Sequence, residues 1–353
     1  MKKRTIILWL LCISTAISSL CFSSCGKQKT KFSRHSMDYF DTVTTITSYA
    51  ESVEAFNDVC TEILGMLEEY HKLFTIYERY EGVENLFSVN LLENGVHPTV
   101  HVDQKIIDLL LYAKEMYTKT DGKVNIAMGS VLSVWHNYRE VGIDDPASAV
   151  LPPRELLSEA AKHTNIEDIL IDEVNLTVTL TDPDMLLDVG AIAKGYAVEQ
   201  IAKTLEEKGI SGYVINVGGN VRTVGTKANG EKWTVGIEHP NGTSEDPYAA
   251  YIATAGESVV TSGSYQRYYV VDGKRYHHII DPETLFPSET YLSVSVICKN
   301  SAEGDALSTA LFCMSAEEGL ALVESLDGIE AMWILPSGEK RYSEGFSDYM
   351  ILP

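Results

Sequence analysis

Three short stretches of this chain carry side chains whose types and spacing suit chemistry on a phosphate. In Gly304-Asp305-Ala306-Leu307-Ser308-Thr309 a carboxylate and a hydroxyl stand four residues apart, so on a helix their oxygens lie one above the other on one face. An all-oxygen pair of that kind suits a hard ion such as Mg²⁺, which keeps several waters and shares the oxygens of a substrate phosphate. The same residues have plainer uses: Asp305 as a helix N-cap, Thr309 bonded to the carbonyl four residues back. The second stretch, Asp188 to Tyr196, reads Asp-Val-Gly-Ala-Ile-Ala-Lys-Gly-Tyr. Gly190 permits a tight turn, the amides that follow would open a helix toward an anion, and Lys194 would add a point charge. Asp188 could accept from a ring or a sugar. The pattern is neither a Walker loop nor a dinucleotide fingerprint, and an ordinary strand–turn–helix junction would look the same. The third is Tyr276-His277-His278-Ile279-Ile280-Asp281-Pro282. Adjacent histidines on a strand point to opposite faces, so at most one joins a given site. That one could take a proton from a hydroxyl near neutral pH.

Hydrophobic periodicity places these stretches on elements. Met37–Tyr49 alternates as a strand, and Ser52–Phe74 has helical spacing, with Ile63, Leu64, Leu67 and Tyr70 for one face. Val102–Thr120 reads as a helix stopped at Asp121-Gly122, and Leu151–Thr164 as another that begins at two prolines. From Ile169 the chain turns to strands: Ile169–Ile171, Thr177–Leu180 and Met185–Val189, with a helix over Ala193–Lys208 after them. Strands follow at Tyr213–Val217, Trp233–Glu238 and Tyr248–Ala255, and Asp272-Gly273 marks a hairpin between Tyr268–Val271 and Arg275–Ile280. Leu292–Cys298 and Ala331–Leu335 are strands around a helix opened by Asp305–Met314. Asn216-Val-Gly-Gly-Asn220, at a strand end, would let a backbone or ligand come close, and Tyr77 could stack on a ring. Helices mixed with hairpins indicate an α+β fold rather than a regular parallel sheet.

The N-terminus has the layout of an export signal: Lys2, Lys3 and Arg4, an apolar run from Thr5 to Leu20, then Ser23 and Ser24 before Cys25. Phe22-Ser-Ser-Cys25-Gly26 resembles a bacterial lipobox, which makes Cys25 the expected lipidation site, residues 1–24 the signal and residues 25–36 a polar tether. The globular part is then expected on the extracytoplasmic face of a bacterial membrane, held by its lipid; an uncleaved signal anchor is the alternative. Removing the signal takes away three positive charges and no negative ones, so the formal net charge of −22 becomes −25. Nucleic acid is a poor partner for so acidic a chain, and any anionic substrate must be met by a local cation, metal or helix N-terminus. Beyond Cys25 only Cys60, Cys298 and Cys313 remain, too few and too scattered for a disulfide framework or a zinc site.

In order along the chain, these stretches resemble the ApbE family of FAD:protein FMN transferases, from Met37 to the end. The matching blocks are Leu187–Ala197, Val214–Asn220, Trp233–Pro240, Thr261-Ser-Gly263, Asp272–Pro282 and Asp305–Leu311. The resemblance implies an ApbE-like (T-fold-like) architecture of mixed and antiparallel sheets with packed helices. It implies Mg²⁺ held by the carbonyl of Ala191 with Asp305 and Thr309, and Ser308 beside them. It implies FAD contacts from Asp188, Lys194, Ile279, the Ile126-Ala127-Met128 stretch and Met37, with Tyr77 stacking on the flavin. His278 is the implied base. The implied partner is an acceptor protein bearing a short flavinylation motif, on respiratory ion-pump subunits or FMN-binding domains. An FAD pyrophosphatase would use the same residues, whereas a lipid-anchored flavin binder without chemistry would have little need of the Asp305/Thr309 pair. The chain departs from the family in Ala191 and Leu285, where Gly is usual, and in Met37-Asp-Tyr-Phe-Asp-Thr42, which lacks the common Met-Gly-Thr.

Overall fold

The computed structural model describes residues 29–351; the signal sequence and Cys25 lie outside them. Strands rich in Thr, Val, Ile and Ser make one eight-stranded sheet: β1 (Thr30–Ser36), β2 (Thr44–Ala50), β3 (Tyr213–Val217), β4 (Asn220–Val224), β5 (Ser258–Gly263), β6 (Ser293–Cys298), β7 (Glu330–Ile334) and β8 (Lys340–Tyr342). They lie side by side in chain order, and every neighbouring pair is antiparallel. Period-two alternation sorts their side chains between two cores. Val294, Val296, Ala331 and Trp333 face the helices, as does Val260 against Gly304. Val259, Ile297, Met332 and Ile334 face a hairpin of Trp233–Glu238 and Tyr248–Thr254, whose Val235, Ile237 and Ile252 close that side. Covered on both faces, β6 is buried at all six positions. This is the α+β architecture that the mixed pattern indicates.

The helices come mainly from the long insertion between β2 and β3. α1 (Val53–Phe74) starts where Ser52 Oγ accepts from Ala55 N–H, and it buries Ile63, Leu64, Leu67, Tyr70 and Leu73. α2 (Gln104–Lys119) is capped by Asp103, and α3 (Gly129–Asp144) follows a short 3-10 turn at Ile126–Met128. α4 (Ala193–Glu207) and α5 (Ser301–Phe312) pack on each other and on the sheet. A third cluster joins α3 to the hairpin of Tyr268–Val271 and Lys274–His277 through Trp135, Tyr269 and Ile280.

Several elements differ from the sequence-based expectations. Thr30–Ser36, expected within the tether, is the edge strand β1; its side chains are exposed or half-buried throughout, so no hydrophobic alternation marks it. The strand expected from Met37 begins only at Thr44, after a turn in which Phe40 and Asp41 take left-handed backbone angles. Met185–Val189 is not a strand: its backbone is held piecemeal, by the Asn90 side chain at Leu187 and the Ile126 carbonyl at Asp188. α3 was not anticipated, because its apolar positions are spread around the helix. α5 begins earlier than expected, at Ser301, with Asn300 as its N-cap. At Leu285 the backbone is left-handed, with φ 61°, the conformation glycine adopts freely. The Leu285 N–H donates to Asp281 O at 2.8 Å, and the Leu285 carbonyl accepts from Trp135 Nε1–H at 2.9 Å, so the turn is held despite the side chain.

Candidate active site

The deepest part of the site is the crossing of α4 and α5. A methyl group at Gly195 would lie 2.4 Å from both Asp305 Cβ and the Ser301 carbonyl, so only glycine lets the helices approach this closely. The Gly195 N–H donates to Asp305 Oδ2 at 2.7 Å. Since that N–H goes to the carboxylate, the Ala191 carbonyl four residues back receives no N–H among the described residues. Asp305 lies in the second turn of α5, not at its cap, and is 5% exposed. Burial pushes its carboxyl above the ordinary range, while Lys194, the Gly195 N–H and the Asn220 side chain favour the anion. Asn220 is itself oriented by the Ser301 hydroxyl. Thr309 makes no bond to the carbonyl four residues back; its hydroxyl lies 3.4 Å from Ser262 Oγ. Carboxylate, hydroxyl and free carbonyl, all oxygen donors, line the same cavity, a donor set that fits Mg²⁺.

Around this floor, one cavity collects most of the residues singled out in the sequence. Tyr77, Ile126, Met128, Asp188, Ala191, Lys194, His278, Ile279, Asp305 and Thr309 all line it. Three others do not. Met37 is 77% exposed on the loop before β2, Ala127 is fully buried behind its neighbours, and Ser308 is spent on Ser262 Oγ at 2.8 Å and the Asp305 carbonyl at 3.0 Å. Asp188 Oδ1 accepts from Gly190 N–H at 2.8 Å, and Lys194 Nζ donates to the Gly190 carbonyl at 3.1 Å, which ties together the turn that opens α4. Asp188 is also pushed above the ordinary carboxyl range by burial, against the pull of the Gly190 N–H, Lys194, His136 and Arg139.

The strand ends at His277, and His278 follows it on a bend; both border the cavity, in different surroundings. His277 is buried against Phe312, with Nε2 2.7 Å from the Ser288 carbonyl and Nδ1 accepting from Ile279 N–H at 3.2 Å. It is a structural residue. His278 faces the cavity, and its Nδ1 lies 3.3 Å from the Arg267 carbonyl. A carbonyl can only accept, so Nδ1 carries the hydrogen and Nε2 keeps its lone pair. Desolvation, with Arg267, Lys194 and His277 nearby, pushes the imidazole well below its ordinary pKa of 6.5, which keeps it neutral and basic in form.

The cavity mouth holds residues that sequence reasoning missed. His136 lies tilted against Tyr77, with ring centroids 5.3 Å apart, and its Nδ1 accepts from Arg139 Nη2 at 2.8 Å. Arg267 reaches across to Asp41, and Lys123 pairs with Asp281 and Glu283 at 3.3 and 2.7 Å. The acidic balance called for local cations, but no motif distinguished these from other basic residues. Thr42 also lines the wall, fitted against Gly218, where a methyl group would sit 2.4 Å from Thr42 Oγ1. Away from the cavity, His163, Asp182 and Asp184 have metal-ligand spacing, with His163 Nδ1 bonded to Asp182. Cys60, Cys298 and Cys313 are buried thiols.

Comparison with known proteins bears on this site. The ApbE family model matches residues 40–333. An FAD:protein FMN transferase of Treponema pallidum is 34% identical over 307 residues, which cover 81% of this chain and 82% of that protein. One from Klebsiella pneumoniae is 33% identical over 273 residues, covering 74% and 81%. Among solved structures, the ApbE protein of Thermotoga maritima aligns with a TM-score of 0.78 at 28% identity, over 92% of this chain and all of that one. The flavin transferase ApbE from Vibrio cholerae aligns with a TM-score of 0.72 at 24% identity, over 91% and 99%, a likeness of fold.

Proposed function

The chain belongs to the ApbE family, and from that premise we propose that it moves the FMN half of FAD onto a threonine or serine hydroxyl of another protein, with Mg²⁺, and releases AMP. The observation that carries this reading is the placing of His278, its Nδ1 turned to the Arg267 carbonyl, on the same cavity as the Asp305, Thr309 and Ala191 oxygens. Asp305, Thr309 and the Ala191 carbonyl would hold the ion. Bound there, Mg²⁺ would supply Lewis-acid polarisation and charge neutralisation at the pyrophosphate. Lys194 and the turn from Asp188 to Gly190 meet the remaining phosphate charge, and Tyr77 offers its exposed ring to the flavin. His278 Nε2 takes the proton as the acceptor oxygen bonds to the phosphorus on the FMN side. The bond from that phosphorus to the bridging oxygen breaks, and its electron pair leaves on AMP. Asp305 is too buried to reach an acceptor, so it serves the pyrophosphate end and His278 the acceptor end.

The test is the intact mass of an acceptor domain carrying a flavinylation motif, after incubation with residues 26–353, FAD and Mg²⁺. The expected outcome is a gain equal to FMN less water, abolished by EDTA. Free FMN and AMP with an unmodified acceptor would make the protein a pyrophosphatase instead, and intact FAD would make it a binder. We also propose that the protein is exported and acylated at Cys25, which leaves residues 25–29 between the lipid and β1. Among the described residues no helix is long and apolar enough to cross a membrane. Release of the protein from membranes by Cys25→Ala is the expected result, read by fractionation.

A further inference from the structure

We propose that Arg267 is a docking cation for an acidic group on the incoming acceptor protein, and that Asp41 occupies the position this group takes. The inference rests on the transferase reading above. Arg267 is joined to the proposed base by its own backbone: its carbonyl accepts the His278 N–H at 3.1 Å and faces His278 Nδ1 at 3.3 Å. An anion held by the guanidinium is therefore held at a set place relative to His278. The guanidinium has capacity for it. Of its five N–H donors, only those on Nη2 are engaged among the described residues, with the Asp41 carbonyl at 2.5 Å and Asp41 Oδ2 at 3.2 Å. Nε and Nη1 face no protein acceptor there, although a planar fork matches a carboxylate through two nitrogens.

The present partner is easily exchanged. The Asp41 side chain is 96% exposed and that of Arg267 44%, and ion pairs in solvent contribute little. Asp41 follows Phe40, whose ring packs on the core and on His71, so the exposed carboxylate can leave Arg267 without disturbing that packing. Depth argues for the acceptor as the source of the anion. The pyrophosphate end of the site is at Lys194 and the 5%-exposed Asp305, whereas Arg267 stands at the mouth, where a protein must approach to bring its hydroxyl to His278. In a chain of formal charge −22, an arginine with open donors beside the base is also a means of admitting an acidic segment against general repulsion. A phosphate of FAD presents the same chemistry, and the measurements below separate the two.

The experiment uses residues 26–353 as wild type, Arg267→Gln, Arg267→Lys and Asp41→Asn. The acceptor domain is supplied in two forms: intact, and with the acidic residues within four positions of its target hydroxyl neutralised. Transfer at saturating FAD and Mg²⁺ gives kcat and the acceptor KM, and flavin fluorescence gives FAD affinity. Arg267→Gln is expected to raise the KM of the intact acceptor about tenfold, the scale of a lost charge-assisted bond, with FAD affinity within about twofold and smaller effects from Arg267→Lys. Asp41→Asn is expected to lower that KM. The neutralised acceptor should show the raised KM already with wild type, and no further rise with Arg267→Gln. Weakened FAD binding with an unmoved acceptor KM would assign Arg267 to the phosphate and overturn the proposal. So would equal KM values for the two acceptors with wild type, a result that does not depend on any variant folding. Wild type that transfers to neither acceptor would sink the transferase reading itself, and the inference with it.

Discussion

At the floor of the cavity, α4 and α5 cross so closely that Gly195 has no room for a methyl group, and a backbone N–H holds the buried Asp305. At the mouth, Arg267 and Asp41 meet in solvent through a single nitrogen, and Tyr77 is 65% exposed. Under the proposed function the two regions face different partners. A pyrophosphate and its ion present fixed geometry, and preorganised groups there need no rearrangement as charge develops. A protein acceptor must enter and leave, so the groups that meet it stay solvated and loosely paired. His278 stands between the two, its ring fixed by the backbone of the mouth and its protonation set by the burial of the floor.

The largest expected effect falls on the floor. Asp305→Ala should reduce transfer on the order of 10³-fold, read by acceptor mass under saturating FAD and Mg²⁺; activity near wild type would remove Asp305 from the proposed site. His278→Ala should slow turnover on the order of 10²-fold or more while FAD affinity, measured separately, moves little. Because the imidazole is held below its ordinary pKa, kcat/KM should stay flat from about pH 8 to pH 6, and an acidic limb at or above 6.5 would contradict the environment described for it. The same shift has a sign for folding. The neutral ring is favoured in the native state, so the stability it contributes above pH 6.5 is lost as pH falls toward the lower native value.

Two glycines and one tyrosine sharpen the contrast. Gly195→Ala should destabilise by about 2–3 kcal/mol in urea unfolding, as a forced contact in a packed interior, and should carry transfer down with it. Tyr77→Ala, at the mouth, should weaken FAD binding by no more than about tenfold, roughly the 1.4 kcal/mol of a ring contact, without altering the unfolding midpoint. Gly65 is the smallest case. It sits on the exposed side of α1 with nothing within 4 Å of an added methyl group, so Gly65→Ala should stabilise by about 0.5–1 kcal/mol through helix propensity. Equal behaviour of the two glycine variants would mean that the floor is not the tight crossing the structure places there.

The core elements were legible where apolar spacing was strong, as on α1 and in the strands of the sheet. They were not legible where burial leaves no period. β1, an edge strand, puts only Phe32 against the core, and α3 shares its apolar residues between a core and the cavity. The site was legible as residue types. Asp305, Thr309, Lys194, Asp188 and His278 were each weak alone and specific only as ordered blocks. Met37, Ala127 and Ser308 were implied by the same resemblance yet lie outside the cavity lining, Ala127 and Ser308 because neighbours in sequence turn to different sides.

By itself, the sequence determined the chemistry on offer: which segments carry oxygen donors, an imidazole and a cation, and that the chain is too acidic to hold phosphate without local help. Local spacing is enough for this, because i and i+4 on a helix, or adjacent residues on a strand, have geometry that no distant contact changes. The tertiary structure decided the rest. Gly195 meets Asp305 across 110 residues, and Arg267 meets Asp41 across 226. Which histidine is tied to Arg267, which carbonyl is left free and which arginine stands at the mouth all depend on such contacts. No local pattern records them, because they form only when strands far apart in sequence pair and two helices cross at a residue without a side chain.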